Sequence, residues 1–452
     1  MFARALAEDK GEHFACKVIH DTVEYILEKW PQEQQKKVEY TRSLCIAVVQ
    51  NFTTHSVHEI LSPSYTPPDR VPERLRGTSY VCCASNDSPD PFNRQANALA
   101  ATVYLGLDEL FYSLFNNGAQ DLPTYFGRTI YCAIRKGNIE VTRLLIENSF
   151  KIDKQLWLSL HYRDRLPAWK CSEDILRLFV HPALSERVSP DMQCLTLLWA
   201  ASSGCVDIMV QIINKIEASG HWSHFSANAY AAANRTILDG WHMIAHMGAI
   251  FGQRDVVQIA LENLMDKIPP SIIHVSSYLM EPLVLAVSQG WEDIVELLLQ
   301  HYTRIEGWKA DERKKRALYW NKPLSIAAQR GWPRIIQLLI DYGVEPNYIS
   351  GPIFEKGTLW RDALLSSVLG GEVDILRQLL ASGLVLKGHP KAAAAIDLAK
   401  LRGSNTMVRF LMESGVSEGS TMGDLGLSAC ELSLQAYRGI PKTYKRYIVF
   451  HP

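Results

Sequence analysis

The chain has 452 residues, of which 47% are hydrophobic and 21% charged, which excludes a disordered chain and allows a large buried interior. Lys and Arg number 47 against 48 Asp and Glu, so a net charge of −1 gives the whole protein no reason to seek nucleic acid or an anionic membrane. The nine cysteines are scattered, with no CxxC pair, which points to a reducing compartment rather than a disulfide-stapled secreted protein.

From the N-terminus, MFARALAEDKGEHFACK lacks the uninterrupted apolar core of a signal peptide. No later run reaches the about 18 apolar residues that cross a bilayer. The expectation is a soluble cytoplasmic or nuclear protein with no membrane and no nucleic-acid partner. Residues 1–62 read as two or three amphipathic helices. HDTVEYILEKW opens with Asp21 as an N-cap and sets Val23, Ile26 and Leu27 on one face. QEQQKKVEYTRSLCIAVVQNF forms a second helix, separated from the first by Pro31. A proline-rich linker or loop follows over 63–95. The simplest role for the N-terminal helices is to cap an array; a separate recruiting domain is the alternative.

The array rests on eight glycines that each precede an apolar run: Gly106, Gly137, Gly204, Gly252, Gly290, Gly331, Gly371 and Gly403. Four residues after them stand Leu110, Val141, Ile208, Val256, Ile294, Ile335, Ile375 and Met407, and eight after them eight more apolar residues, from Leu114 to Leu411. That spacing is one face of a helix. Four residues before the glycines every residue is small: Thr102, Ala133, Ala200, Gly248, Ala286, Ala327, Ser367 and Ala399. Seven before, every residue is apolar, from Leu99 to Ile396. The pattern predicts a first helix that a neighbour approaches closely at its small position, a glycine turn, and a second helix. The long gap between Gly137 and Gly204 holds a degenerate copy, CSEDILRLFV at 171–180, making about nine units that must stack to bury their apolar faces.

EPLVLAVSQGWEDIVELLL and KPLSIAAQRGWPRIIQLLIDYGVEPN resemble ankyrin repeats, whose signature runs Thr-Pro-Leu-His, two small residues, Gly, an apolar helix and a Gly-Ala-Asp-x-Asn turn. Pro282 and Pro323 match the family proline, His246 the histidine, and Gly118, Gly343, Gly383 and Gly415 the glycine that ends the second helix. Most copies lack the full Thr-Pro-Leu-His, and several connections exceed the family's period of about 33 residues. The resemblance covers residues 96–416 and implies an all-α, ankyrin-like helical solenoid. Residues 417–452 are expected to form a C-terminal cap and a basic, aromatic tail. RKKR at 313–316, beside Asp311 and Glu312, reads as a solvated helix before an import signal.

Catalytic signatures are missing: no GxGxxG after a strand, no GxxxxGK[ST], no HExxH, and GLSAC at 426–430 is half of a nucleophile elbow. His221, His224, His242 and His246 fall within 26 residues. The i, i+4 pair His242 and His246 has zinc-chelating spacing, but the resemblance assigns His246 to a hairpin-loop column that bonds backbone. No metal and no cofactor are expected. Two residues before the first-helix signature stand Phe126, Trp241, Trp320 and Trp360. In ankyrin repeats that column lies in the hairpin on the concave side. The rings therefore read either as packing between hairpins or as a partner-binding ladder. Asp239, Glu281, Lys322, Arg361 and Asp362 lie near that ladder, as solvated charges or as specificity groups, with Arg361 counted among the partner-binding residues.

Two functions remain in view. The first is a non-enzymatic scaffold that binds a protein partner on its concave face, since a solenoid offers a long preformed surface with little ordering cost. The second is an enzyme or small-molecule binder in the same groove, under the insertions at about 216–240, 262–280 and 300–320. There His242, His246, Glu281 or Asp362 would supply acid–base chemistry. A third, that the chain is the sensor end of a longer signalling protein, depends on gene boundaries.

Overall fold

The structure, a computed structural model, describes residues 14–51, 93–148 apart from 123 and 125, 171–220 apart from 187 and 189, 233–267, 275–306, 313–347, and 362–417 apart from 390. Among the described residues every regular element is a helix. The eight aligned glycines divide these helices into pairs. All have positive φ, from 67° at Gly403 to 84° at Gly371, a region that costs other L residues about 1–2 kcal/mol. At seven of the eight, the residue after glycine donates its N–H to the carbonyl of the small position. Leu107 reaches Thr102 at 2.9 Å and Trp291 reaches Ala286 at 3.0 Å. This is the Schellman bond that stops a helix and turns the chain. At Gly371 the glycine's own N–H bonds the Ser367 carbonyl at 3.0 Å instead.

The chain divides into two units, residues 1–230 and 231–452, so the array expected over 96–416 is shared between them. In the first unit, helices α1 (Phe14–Lys29) and α2 (Lys37–Asn51) are joined by a 3₁₀ turn, Pro31–Lys36. Helix α1 starts before Asp21, which therefore lies mid-helix rather than capping. Val23, Ile26 and Leu27 are all buried. Both helices pack on α3 (Arg94–Leu105), which pairs with α4 (Asp108–Asn116) and rests on α5 (Thr129–Lys136), itself paired with α6 (Ile139–Glu147). Helix α7 (Glu173–Val180) leads through a short α8 (Pro182–Ser185) and contacts α6. It also packs on the pair α9 (Pro190–Ser203) and α10 (Val206–Ser219).

The second unit holds five pairs: α11 (Ala233–Phe251) with α12 (Arg254–Lys267), α13 (Val275–Gln289) with α14 (Glu292–Glu306), α15 (Arg313–Arg330) with α16 (Pro333–Asp341), α17 (Ala363–Gly370) with α18 (Val373–Ala381), and α19 (Ala392–Leu401) with α20 (Asn405–Glu413). First helices contact first helices in the order α11, α13, α15, α17, α19. Second helices do the same from α12 to α20. The unit is therefore two rows of helices.

Every residue in the four aligned columns of both units is buried. The small column has a steric cause: a Cβ on Gly248 would come within 2.7 Å of Val257 and 3.1 Å of the Gln253 carbonyl, so the second helix is what forbids bulk. The rows are tied at the turns by tryptophans. A Cβ on Gly252 would lie 2.9 Å from the Trp291 indole, and one on Gly290 would lie 2.9 Å from Trp332. Each indole thus covers the turn glycine of the preceding pair, and Trp291 Nε1 donates to the Ile250 carbonyl at 3.2 Å. On the far side, Asn347 bridges neighbouring pairs, donating to the Gly383 carbonyl at 2.6 Å and accepting from Val385 N–H at 2.7 Å.

In α11, α13 and α15 the stretch expected as a hairpin before the first helix is helix instead. Pro282 and Pro323 lie inside α13 and α15 rather than at a helix start. Each proline removes one N–H from the helical ladder, and the residues just after it, 283–287 in α13 and Leu324 in α15, are buried. No helix among the described residues is long and apolar enough to cross a membrane.

Candidate functional site

Most described side chains of the second unit's first helices are buried. Helix α17 is buried from Ala363 to Leu369, and α13 from Pro282 to Ser288. The side chains that break this burial include His242, Met243 and His246 on α11, Glu281 and Gln289 on α13, Lys322, Ile326, Gln329 and Arg330 on α15, and Asp397, Lys400 and Leu401 on α19. Burial holds the Arg330 guanidinium below its usual range. The second row instead shows water a charged surface of both signs, with Glu262, Glu292, Asp293 and Glu296 exposed as well as Arg254, Arg334, Arg377 and Arg409.

His242 and His246 are one helical turn apart, so their rings share a face of α11, with centroids 5.3 Å apart and planes at 84°. Packing of α13 on α11 brings Glu281 to them. Its Oε2 lies 3.8 Å from His242 Nε2 and 4.0 Å from His246 Nδ1. The three side chains are only 16%, 13% and 25% exposed. His246 is thus mid-helix and facing a carboxylate, not in a hairpin loop. Two imidazoles and a carboxylate at this spacing suit proton exchange or ligation of a cation.

Asp362, placed with these residues by sequence reasoning, is held elsewhere. It is the N-cap of α17, its Oδ1 accepting from Leu365 N–H at 3.0 Å. Its Oδ2 is 3.4 Å from Lys391 Nζ, and both side chains are 2% exposed. Lys391 N–H donates to His389 Nδ1 at 3.2 Å. Burial holds the His389 imidazole below its usual value; Asp362 pulls it up and Lys391 pushes it down. Asp362 is therefore sealed between α17 and the start of α19, with no route to substrate. Lys391 escaped sequence reasoning; a lysine opening the apolar run KAAAAIDLA was the available signal.

The ring ladder is not a surface where it is described. Phe126 is 1% exposed and Trp241 2%. Phe126 sits in the turn before α5, its N–H donating to Thr124 Oγ1 at 3.1 Å and its carbonyl accepting from Cys132 Sγ at 3.3 Å. Trp241 lies within α11 and Trp320 within α15, not in hairpins. Trp360, Arg361, His221 and His224 lie outside the described residues, as does the 417–452 tail beyond residue 417. Packing is the role burial gives Phe126 and Trp241.

The cysteines supply no activated nucleophile among those whose titration is perturbed: burial pushes the Cys45 thiol up to about 11 and Cys171 up to about 12. In the first unit a recess lined by Phe179, Val188, Thr196 and Lys215 brings no acid–base pair together, and Lys215 Nζ is engaged by the Ser185 carbonyl at 2.6 Å. No protein-family model and no curated protein matches this chain.

Proposed function

We propose that this chain is an ankyrin-type helical-repeat protein that works without catalysis, holding a protein partner along its first-helix row. The observation that supports this reading is the repetition itself. Glycine turns, a small column and three apolar columns build the same two-helix unit again and again, and this yields a rigid, preformed surface. The docking strip is narrower than an open concave face. It consists of the positions that break the burial of that row, chiefly Lys322, Ile326 and Gln329 on α15, which fall at i, i+4 and i+7.

The test is affinity purification from native lysate with wild type and a Lys322→Glu/Ile326→Ser/Gln329→Ala variant, each verified as folded by circular dichroism. The reading expects a protein retained by wild type and lost from the variant. Equal retention by both would remove the strip from the account, and no specific protein on folded wild type would remove the scaffold.

The convergence of His242, His246 and Glu281 supports a second reading, a small-molecule site in the same row. Native mass spectrometry of the purified chain, showing a bound metabolite, would bring it forward.

A further inference from the structure

We propose that His242, His246 and Glu281 form a binding site for a divalent transition metal of the zinc class, clamping α11 to α13. Two imidazole nitrogens and one carboxylate oxygen are the borderline donors that zinc takes, and a set of two His and one Glu leaves a fourth position for water. Geometry supplies the second support. All three donor atoms lie within 4.8 Å of one another, with 3.8 Å and 4.0 Å separating the carboxylate oxygen from the two nitrogens. Tetrahedral zinc with bonds of about 2.0–2.1 Å sets neighbouring donors roughly 3.3–3.4 Å apart. Small rotations about the side-chain bonds close that difference with no movement of either helix.

Placement supplies the third. The histidines come from one helix at i and i+4, so their relative position is fixed by α-helical geometry rather than by a loop. Glu281 is fixed by the packing of α13 on α11. The donors stand in a row whose other residues are largely buried apolar side chains. They are screened enough to strengthen ligation but open enough, at 13–25% exposure, for an ion to enter. Binding would link two consecutive repeats and so stabilise the fold as well as the site.

The experiment uses the whole chain, reduced, titrated with cobalt(II) chloride and then zinc chloride. The proposal expects visible d–d absorption of a four-coordinate site that saturates at one equivalent, without the thiolate charge-transfer band of cysteine ligation, and that bleaches when zinc displaces cobalt. The bands vanish in His246→Ala and in Glu281→Gln, both still helical by circular dichroism. Zinc raises the Tm of wild type and leaves that of both variants unchanged. Bands that persist in the variants, a thiolate signature, or no band at all would each overturn the proposal; the conservative Glu281→Gln keeps the test decisive if His246→Ala unfolds.

Discussion

Two acidic residues of the second unit stand at the same place in their repeats, nine residues before the turn glycine: Glu281 before Gly290 and Asp362 before Gly371. Their surroundings differ. Asp362 is sealed beside the Lys391 ammonium, with one oxygen spent on capping α17. Glu281 is a quarter exposed and meets two imidazoles from the adjacent repeat. An identical position in the repeat therefore does not carry an identical role. Burial and the neighbour across the helix row decide whether a carboxylate is structural or available for a ligand.

The comparison breaks most visibly in stability. Asp362→Asn keeps the helix cap but strands the buried Lys391 charge, and should cost about 3–5 kcal/mol by the denaturant midpoint. Adding Lys391→Met should recover most of that loss, because the double variant leaves no buried charge. A loss under about 1 kcal/mol for Asp362→Asn would mean that the pair is hydrated and the contrast with Glu281 is void.

A second contrast separates the turns. Gly371 has open space where a Cβ would go, while Gly290 has Trp332 at 2.9 Å. Gly371→Ala should therefore cost only the left-handed backbone, about 1–2 kcal/mol. Gly290→Ala should cost about 1–3 kcal/mol more because the indole must shift. Equal losses at the two turns would show that the tryptophans merely lie near the glycines.

A smaller effect is expected from pH. His389 has its imidazole held below the ordinary 6.5 by burial, with Asp362 and Lys391 acting on it in opposite directions. The native state thus binds fewer protons than the unfolded chain just below pH 6.5. This contribution to stability is complete above that value and is lost as pH falls toward the depressed native pKa. His389→Gln should flatten that part of the Tm–pH curve; an unchanged slope would show that His389 titrates normally. Smallest of all, Glu281→Gln in metal-free protein should change stability by no more than about 0.5–1 kcal/mol, since its Oε2 stands 3.8 Å and 4.0 Å from the two imidazole nitrogens, too far for hydrogen bonds to them, and the amide keeps its shape.

The repeat was legible because its causes are local. Helical periodicity, a residue that must be small and a glycine that must be left-handed all leave marks within twenty residues of sequence, and all four columns are buried as read. What depended on packing between helices was not legible. Trp241 reads as a hairpin ring because the family pattern starts its first helix only after that position. Here the helix begins at Ala233, and the indole turns into the interior. His242, His246 and Glu281 could be named one at a time, but their convergence needs the offset between α11 and α13, which periodicity does not encode. The pairing of Lys391 was not legible for the same reason: its countercharge lies 29 residues upstream on another repeat.

The most direct measurement is a crystal structure of the zinc-treated chain with anomalous data collected at the zinc edge. The account predicts one strong peak bonded to His242 Nε2, His246 Nδ1 and the Glu281 carboxylate, and none beside Asp362, His389 and Lys391. A peak at the sealed cluster, or no peak at the open one, would contradict the claim that burial divides these two same-register carboxylates into a structural group and a ligand.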